Sequence, residues 1–378
     1  MTRILYFSRS YTPHDHRFLS ALAGTPHAVA FLQLEPAQRT TEMRRVPDGI
    51  EVIPWLGGQK AFHWRDVPAL SADLQRVIDA YQPDVIHAGP VQSAAYITAK
   101  SSFEPLLTMS WGSDLLLEAD NNAWMQRVTR YTLKHSTVLA GDCLAVQQKA
   151  ADFGFPAERV VLFPWGVDLE RFTPDRNTTL RAQLGWQNAF VVLSLRSWEP
   201  LYGVDELVSG FALAAQQTPD MRLLLLSGGS QAEVLHGILA QHNLHDRVHF
   251  AGQIGQQELP AYYQAADLYV SASHSDGSSV SLMEALACGL PSLVSDIPAN
   301  REWLADSPAG WLFPDGDVQA IAAGILQAYT RRKTLQPMQS AARALAQKRA
   351  NWPENFKKLL SAYELAQQLV RSPQKVVA

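Results

Sequence analysis

The sequence predicts an α/β protein of two Rossmann-like domains with open parallel sheets, followed by a helical C-terminal segment. Three observations lead there. The chain has 378 residues, and single cores rarely grow much past roughly 250. Short continuous apolar runs bounded by turn residues recur along it, as expected of parallel strands covered on both faces. Segments of helical period lie between many of these runs, which implies right-handed βαβ units.

In the first half the strand candidates are ILYFS, AVAFLQL, IEVIPWL, DVIHA, LLTMSW and VVLFP. In the second half they are FVVLSL, RLLLLS, RVHFAG, LYVSAS and PSLVS. Helical period marks Val67–Ala80, Val204–Gln216, Gln256–Ala265 and Ser279–Ala287. The joint between domains is expected within Pro164–Ala182, dense in Gly, Pro, Asp and Thr and without a clean period. From Lys333 onward the chain reads as helix, ending in a polar tail at Ser372–Ala378 expected to fray.

Composition removes several classes. With 47% apolar and 18% charged residues and a formal charge of −4, the chain lacks the basic excess of a nucleic-acid binder. Cys143 and Cys288 show neither CxxC nor metal-ligand spacing and read as buried thiols in a reducing compartment. The start, MTRILYFSRS, has no apolar signal-peptide region, and no window reaches the ~18 apolar residues that span a bilayer. A cytoplasmic protein is expected, with peripheral contact on the inner membrane face left open because it needs only a local patch.

An open α/β pair suggests nucleotide binding at the carboxyl ends of its strands, yet both the GxGxxG fingerprint and a Walker P-loop are absent. The informative stretch is SHSDGSSVSLMEALACGLPSLVSD, Ser273 to Asp296. A Gly-Ser-Ser loop after a strand runs into a helix at Val280, with Ser278 or Ser279 as N-cap and Gly289 as the stop. Such a junction offers free N–H groups and a positive dipole end to an anion. Asp276 and Glu284 beside it are acceptors suited to pairs of hydroxyls, so a ligand with both phosphate and sugar is expected. Taken on its own, such a loop reads first as simple capping without a ligand.

This pattern, an acid, seven residues, Glu284 and then ALACGLPSLVSD, resembles the GT-B retaining glycosyltransferases of family 4. VVLFPWGVDLERFTP is similar to the interdomain signature of that family. SLRSWEPLYGVDELVSGFALAAQQTPDMRLLLLSGG, FAGQIGQQELPAYYQAADLYVSAS and GWLFPDGDVQAIAAGI resemble segments of its donor domain, while DVIHAGP and WGSDLL match more loosely. The resemblance implies two domains facing a central cleft: an acceptor domain over 1–167 and a nucleotide-sugar domain over 168–350. Residues 351–378 would form a helix, packing back on the first domain, and the tail. It implies transfer of a sugar from a UDP- or GDP-linked donor to a hydroxyl of a glycan, lipid-linked or small-molecule acceptor, with no cofactor.

Carried over by position, the ribose-binding glutamate falls on Glu284 and the sugar-binding acid on Asp276, where Glu is usual. Arg196 takes the diphosphate place, and Asp276 and Arg196 would carry the chemistry. The amides around Gly277, Ser278 and Ser279 would meet sugar and phosphate. Three positions depart from the family. Tyr202 stands where a Lys is usual, Trp111 where a His is usual, and SRSYTPHDHRF replaces a glycine-rich loop. Acceptor or cleft candidates are His14, His16, His87, Trp111 and Asp114. The Arg127–Arg130–Lys134 series reads as a solvated helix face, with an anionic membrane or acceptor as the alternative. Asp315-Gly-Asp317 looks like a metal-binding DxD, but both acids are expected to cap the helix from Val318, and no metal is expected. A sugar-nucleotide epimerase and a non-catalytic nucleotide-sugar binder stay open as alternatives.

Overall fold

The computed structural model describes residues 1–36, 42, 44–176 and 178–371. The chain divides into two compact units, Met1–Phe163 with the residues from Phe356, and Pro164–Asn355. The expected fraying tail, Ser372–Ala378, lies outside the described residues.

The first unit holds β1 (Arg3–Ser8), β2 (Ala28–Gln33), β3 (Ile50–Val52), β4 (Val85–Gly89), β5 (Leu106–Met109), β6 (Val138–Gly141) and β7 (Val160–Leu162). Among the described residues they form one parallel sheet in the order β3-β2-β1-β4-β5-β6-β7. The second unit holds β8 (Phe190–Ser194), β9 (Met221–Leu226), β10 (Val248–Gly252), β11 (Leu268–Ser271), β12 (Ser292–Ser295) and β13 (Gly310–Phe313). Their order is β10-β9-β8-β11-β12-β13, again parallel. These are two Rossmann-like sheets, and every residue of β8, β11 and β12 is buried. Burial on both faces is what the uninterrupted apolar runs require.

Three elements differ from the sequence reading. β6 lies in TVLAG, a run too short and small-residued to stand out as a strand. The IEVIPWL strand ends at Val52, two residues before Pro54, which has no N–H for a ladder. Trp55 then turns into the core, its Nε1 donating to the Gln33 carbonyl at 2.8 Å. β13 lies in GWLF, a four-residue run opening on glycine that the strand candidates leave out. The C-terminal region is helical as expected, in two helices, Gln336–Arg349 and Trp352–Arg371, with the break at Ala350 and Asn351.

In each sheet the strand order turns back at one point, between β1 and β4 and between β8 and β11. Loops leaving the carboxyl ends there diverge and open a crevice. The loop after β8 contains Gly203, with φ +54°, and a Cβ on it would lie 2.3 Å from the Ala272 carbonyl oxygen. Only glycine lets the β8 loop lie this close to the end of β11.

The DxD pair separates. Asp317 caps the helix Val318–Thr330, accepting from the Ala320 N–H at 2.9 Å. Asp315 does not cap; its Oδ1 is 2.8 Å from His274 Nδ1. Among the described residues no cluster of three His, Cys, Asp or Glu side chains is arranged to hold a metal ion. Asp317→Ala should lower the unfolding free energy by about 1 kcal/mol, the usual worth of an N-cap. Urea denaturation measures it, and an unchanged midpoint at equal slope would show that this cap contributes nothing.

Candidate functional site

Arg196 stands two residues beyond β8, and Asp276 lies in the loop that follows β11, so the turn in strand order brings them together. Arg196 Nη2 is 2.9 Å from Asp276 Oδ2, with the side chains only 14% and 20% exposed. Nη1 donates to Ser279 Oγ at 3.3 Å. The guanidinium carbon lies 4.2 Å from the centroid of the Tyr202 ring, a cation–π contact. Nε is buried without a hydrogen-bond partner. Burial works against the charge of Arg196, but the Asp276 carboxylate beside it outweighs that and keeps the guanidinium protonated. Burial pushes the Asp276 carboxyl above the usual range, and Arg196, with Ser279 and the Gly277 N–H, offsets that only in part.

The helix Val280–Ala287 begins beside this pair. Ser279 is its N-cap residue, but its side chain makes no capping hydrogen bond. Instead Ser279 Oγ accepts from Arg196 and shares a 3.1 Å hydrogen bond with Ser281 Oγ. Ser278 Oγ accepts from Trp303 Nε1 at 3.0 Å. The expectation that a serine hydroxyl caps this helix is therefore corrected: both hydroxyls are used sideways. Gly289 follows the helix at φ +65°, where a Cβ would come within 3.2 Å of Pro174 Cβ.

Glu284 sits one turn further along the same helix and is 3% exposed. Its Oε2 accepts from Tyr263 OH at 2.7 Å. Burial first, and then this carboxylate, raise the Tyr263 phenol well above its ordinary value, so it stays a donor. Tyr263 and Trp303 are site residues that the sequence did not disclose. Their partners are 21 and 25 positions away, and no local spacing marks such contacts. Asp315, His274 and Glu206 form a neighbouring knot, with His274 Nε2 3.7 Å from Glu206 Oε1.

In the first unit, the loop after β1 is organised by Asp15. Tyr6 OH donates to its Oδ1 at 3.0 Å, and Thr12 and Asp15 form a reciprocal capping box at the helix Pro13–Ala23. The His14 ring lies 5.7 Å from that of Trp111. Burial, helped by Arg17, pulls His14 down to about 3, so it is neutral, and its Nδ1 is buried with no partner. His16 Nδ1 lies 2.6 Å from Tyr11 OH. His14 and Trp111 thus meet, while His16 belongs to a separate contact.

His87 and Asp114 are corrected as accessible candidates, since each is 1% exposed. His87 packs 4.5 Å from the Tyr6 ring, and its Nδ1 is 2.7 Å from Tyr363 OH. Burial pulls it down to about 3. Asp114 accepts from the Val91, Trp111 and Leu115 N–H groups and from Ser110 OH, at 2.6–3.0 Å. It is the peg that shapes the WGSD turn and joins it to the loop after β4. Burial pushes its carboxyl up to about 6, against those hydrogen bonds.

Residues 176–345 match the family model for glycosyl transferases group 1, and residues 3–142 match that for glycosyl transferase 4-like domains. The chain is 28% identical over 224 residues to the amylovoran biosynthesis glycosyltransferase AmsK of Erwinia amylovora, covering 58% of this chain and 54% of that one. Identity is 29% over 194 residues to a GDP-mannose-dependent alpha-(1-6)-phosphatidylinositol monomannoside mannosyltransferase of Mycolicibacterium smegmatis, covering 48% and 50%. Anabaena Alr3699/HepE, solved in complex with UDP, superposes at a TM-score of 0.79 with 21% identity over 96% of this chain and 99% of that one. The chain spans about half the length of these two curated relatives. It belongs to the GT4-like group 1 glycosyltransferases, with the two-domain GT-B fold.

Asp114→Ala removes an acceptor from four donors, three of them buried. A hydrogen bond to a charged group contributes roughly 1.5–3 kcal/mol, so the loss should be at least ~2 kcal/mol. Thermal and urea unfolding read it. A variant as stable as wild type would show that the WGSD turn does not depend on this carboxylate.

Proposed function

We propose that the chain is a retaining hexosyltransferase that moves a sugar from a nucleoside-diphosphate donor to an acceptor hydroxyl. The observation that carries this reading is Arg196 at the second sheet's switch point. Its guanidinium is set by Asp276, Ser279 and Tyr202 next to the start of the helix Val280–Ala287. A planar fork and a helix N-terminus together suit a diphosphate. Glu284 in the same helix would take the ribose hydroxyls and Asp276 those of the donor sugar.

In the reaction, the bond from the anomeric carbon to the diphosphate breaks, and the acceptor oxygen bonds to that carbon from the same face. The acceptor proton passes to the leaving phosphate. Arg196 and the amides near Ser278 and Ser279 stabilise charge as it gathers on the leaving group. The fork and helix supply positive field themselves, so the reading includes no metal and no cofactor besides the donor. Donors linked to UDP or GDP are both favoured. The Anabaena structure holds UDP, and the Mycolicibacterium enzyme is named for GDP-mannose. His14 and Trp111, meeting beyond β1 and β5, are the acceptor-side candidates.

Glu284→Ala should weaken UDP or GDP binding at least tenfold, since a charge-assisted hydrogen bond contributes roughly 1.5–3 kcal/mol. Calorimetry on the folded variant measures this, with thermal unfolding as control. Unchanged affinity would remove Glu284 from the nucleotide site.

The acceptor we favour is a glycan or lipid-linked molecule met at the cytoplasmic face of a membrane. No helix among the described residues is long and apolar enough to cross a bilayer. The helix Ala123–Lys134 presents Arg127, Arg130 and Lys134 outward and contains no acid. At its rim, Trp124 and Trp64 are 47% and 37% exposed with ring centroids 5.5 Å apart. Cations beside exposed tryptophans suit an anionic headgroup layer. Each cation near such a surface is worth about 1 kcal/mol. Arg127→Gln with Lys134→Gln should therefore cut cosedimentation with phosphatidylglycerol vesicles at least tenfold. Equal binding by wild type and variant would discard this face.

A further inference from the structure

The Arg196–Asp276 pair bears on more than donor recognition. Of the three guanidinium nitrogens, Nη2 meets Asp276 at 2.9 Å, Nη1 donates to Ser279 at 3.3 Å, and Nε is buried without a partner. One flat face is covered by the Tyr202 ring, whose centroid lies 4.2 Å from the guanidinium carbon. The local charge at this end of the site is therefore one cation already matched by one carboxylate. An arriving diphosphate must share or take the edge of the fork that Asp276 occupies.

The two molecules that visit the site differ in what they offer Asp276. A nucleotide sugar brings hydroxyls, so a carboxylate that turns from Arg196 finds new donors. Its terminal phosphate is also a diester and carries less charge. A free nucleoside diphosphate brings no hydroxyl there and a more highly charged phosphate. Asp276 would then face that phosphate as a partly buried anion whose partner has been taken, an arrangement that costs much more than in water.

We infer that Asp276 is a specificity-determining residue. By competing with phosphate for Arg196, it biases the site towards intact nucleotide sugar and against the nucleoside diphosphate left after transfer. The inference rests on the glycosyltransferase reading and adds a function to it: release of the spent nucleotide is built into the donor site. Ser279 takes part by holding Nη1, so the fork presents its Nη2 edge to whichever anion wins.

Calorimetric titration of UDP, GDP, UDP-glucose and GDP-mannose into the full chain tests this, with wild type, Asp276→Asn and Asp276→Ser. Asn preserves shape and hydrogen-bonding reach without the charge; Ser serves if the Asn variant fails to fold. For the base that wild type binds, the diphosphate should bind either variant at least tenfold more tightly than wild type. Affinity for the nucleotide sugar should stay level or fall, so the ratio of the two dissociation constants moves towards the free diphosphate. Diphosphate affinity unchanged or weakened in the variants would overturn the competition while leaving nucleotide binding intact. Failure of wild type and variants alike to bind any of the four would overturn both the competition and the glycosyltransferase reading.

Discussion

A parallel sheet whose strand order turns back leaves two strand ends with no crossover between them, and the second unit is organised around that gap. β8 and β11 lie side by side there, and their loops must share the space beyond their carboxyl ends. Gly203 allows the contact, because any side chain at that position would strike the Ala272 carbonyl. Arg196 from one loop then meets Asp276 from the other, and the helix Val280–Ala287 starts beside them. Strand order fixes where the charge pair forms, and the pair in turn sets the orientation of the guanidinium.

Buried carboxylates do much of the local shaping, and they do it in different ways. Asp114 and Asp15 gather backbone and hydroxyl donors and thereby hold loops at the ends of β5 and β1. Glu284 is held by a phenol instead, which fixes the side chain on the inner face of its helix. Asp317 remains exposed and caps a helix. Acids that look alike in the sequence thus divide into frame, site and cap according to burial and the donors around them. The Arg196–Asp276 pair falls between frame and site. It is desolvated enough for its charge to matter, yet reachable enough for a ligand to contest it.

Much of this architecture was legible in the sequence because parallel strands buried on both faces announce themselves as apolar runs. ILYFS, FVVLSL and LYVSAS all became central strands. The limits of legibility are equally physical. TVLAG gives too little apolar signal, and Pro54 cuts a run that looks continuous. At the site, Asp276, Ser279, Glu284 and Arg196 could be singled out because an acid–loop–helix pattern and a strand-end arginine are local features. Tyr263 on Glu284 and Trp303 on Ser278 are long-range contacts that no spacing encodes. The departure at Tyr202 was visible, but its use as a ring beneath Arg196 was not. For His87 the strand-end position suggested access, whereas its contacts with Tyr6 and Tyr363 bury it.

Membership of the group 1 glycosyltransferases follows from two family models that match successive parts of the chain. The proposed reaction depends on one placement: nucleotide diphosphate against Arg196 and ribose against Glu284, in the crevice between the β8 and β11 loops. A crystal structure of the protein grown with UDP or GDP tests that placement most directly. Density for the diphosphate is expected within hydrogen-bonding distance of the Arg196 guanidinium and the first amides of the helix Val280–Ala287, with the ribose hydroxyls on Glu284. A nucleotide bound elsewhere, or bound there with Arg196 turned away from its phosphates, would contradict it.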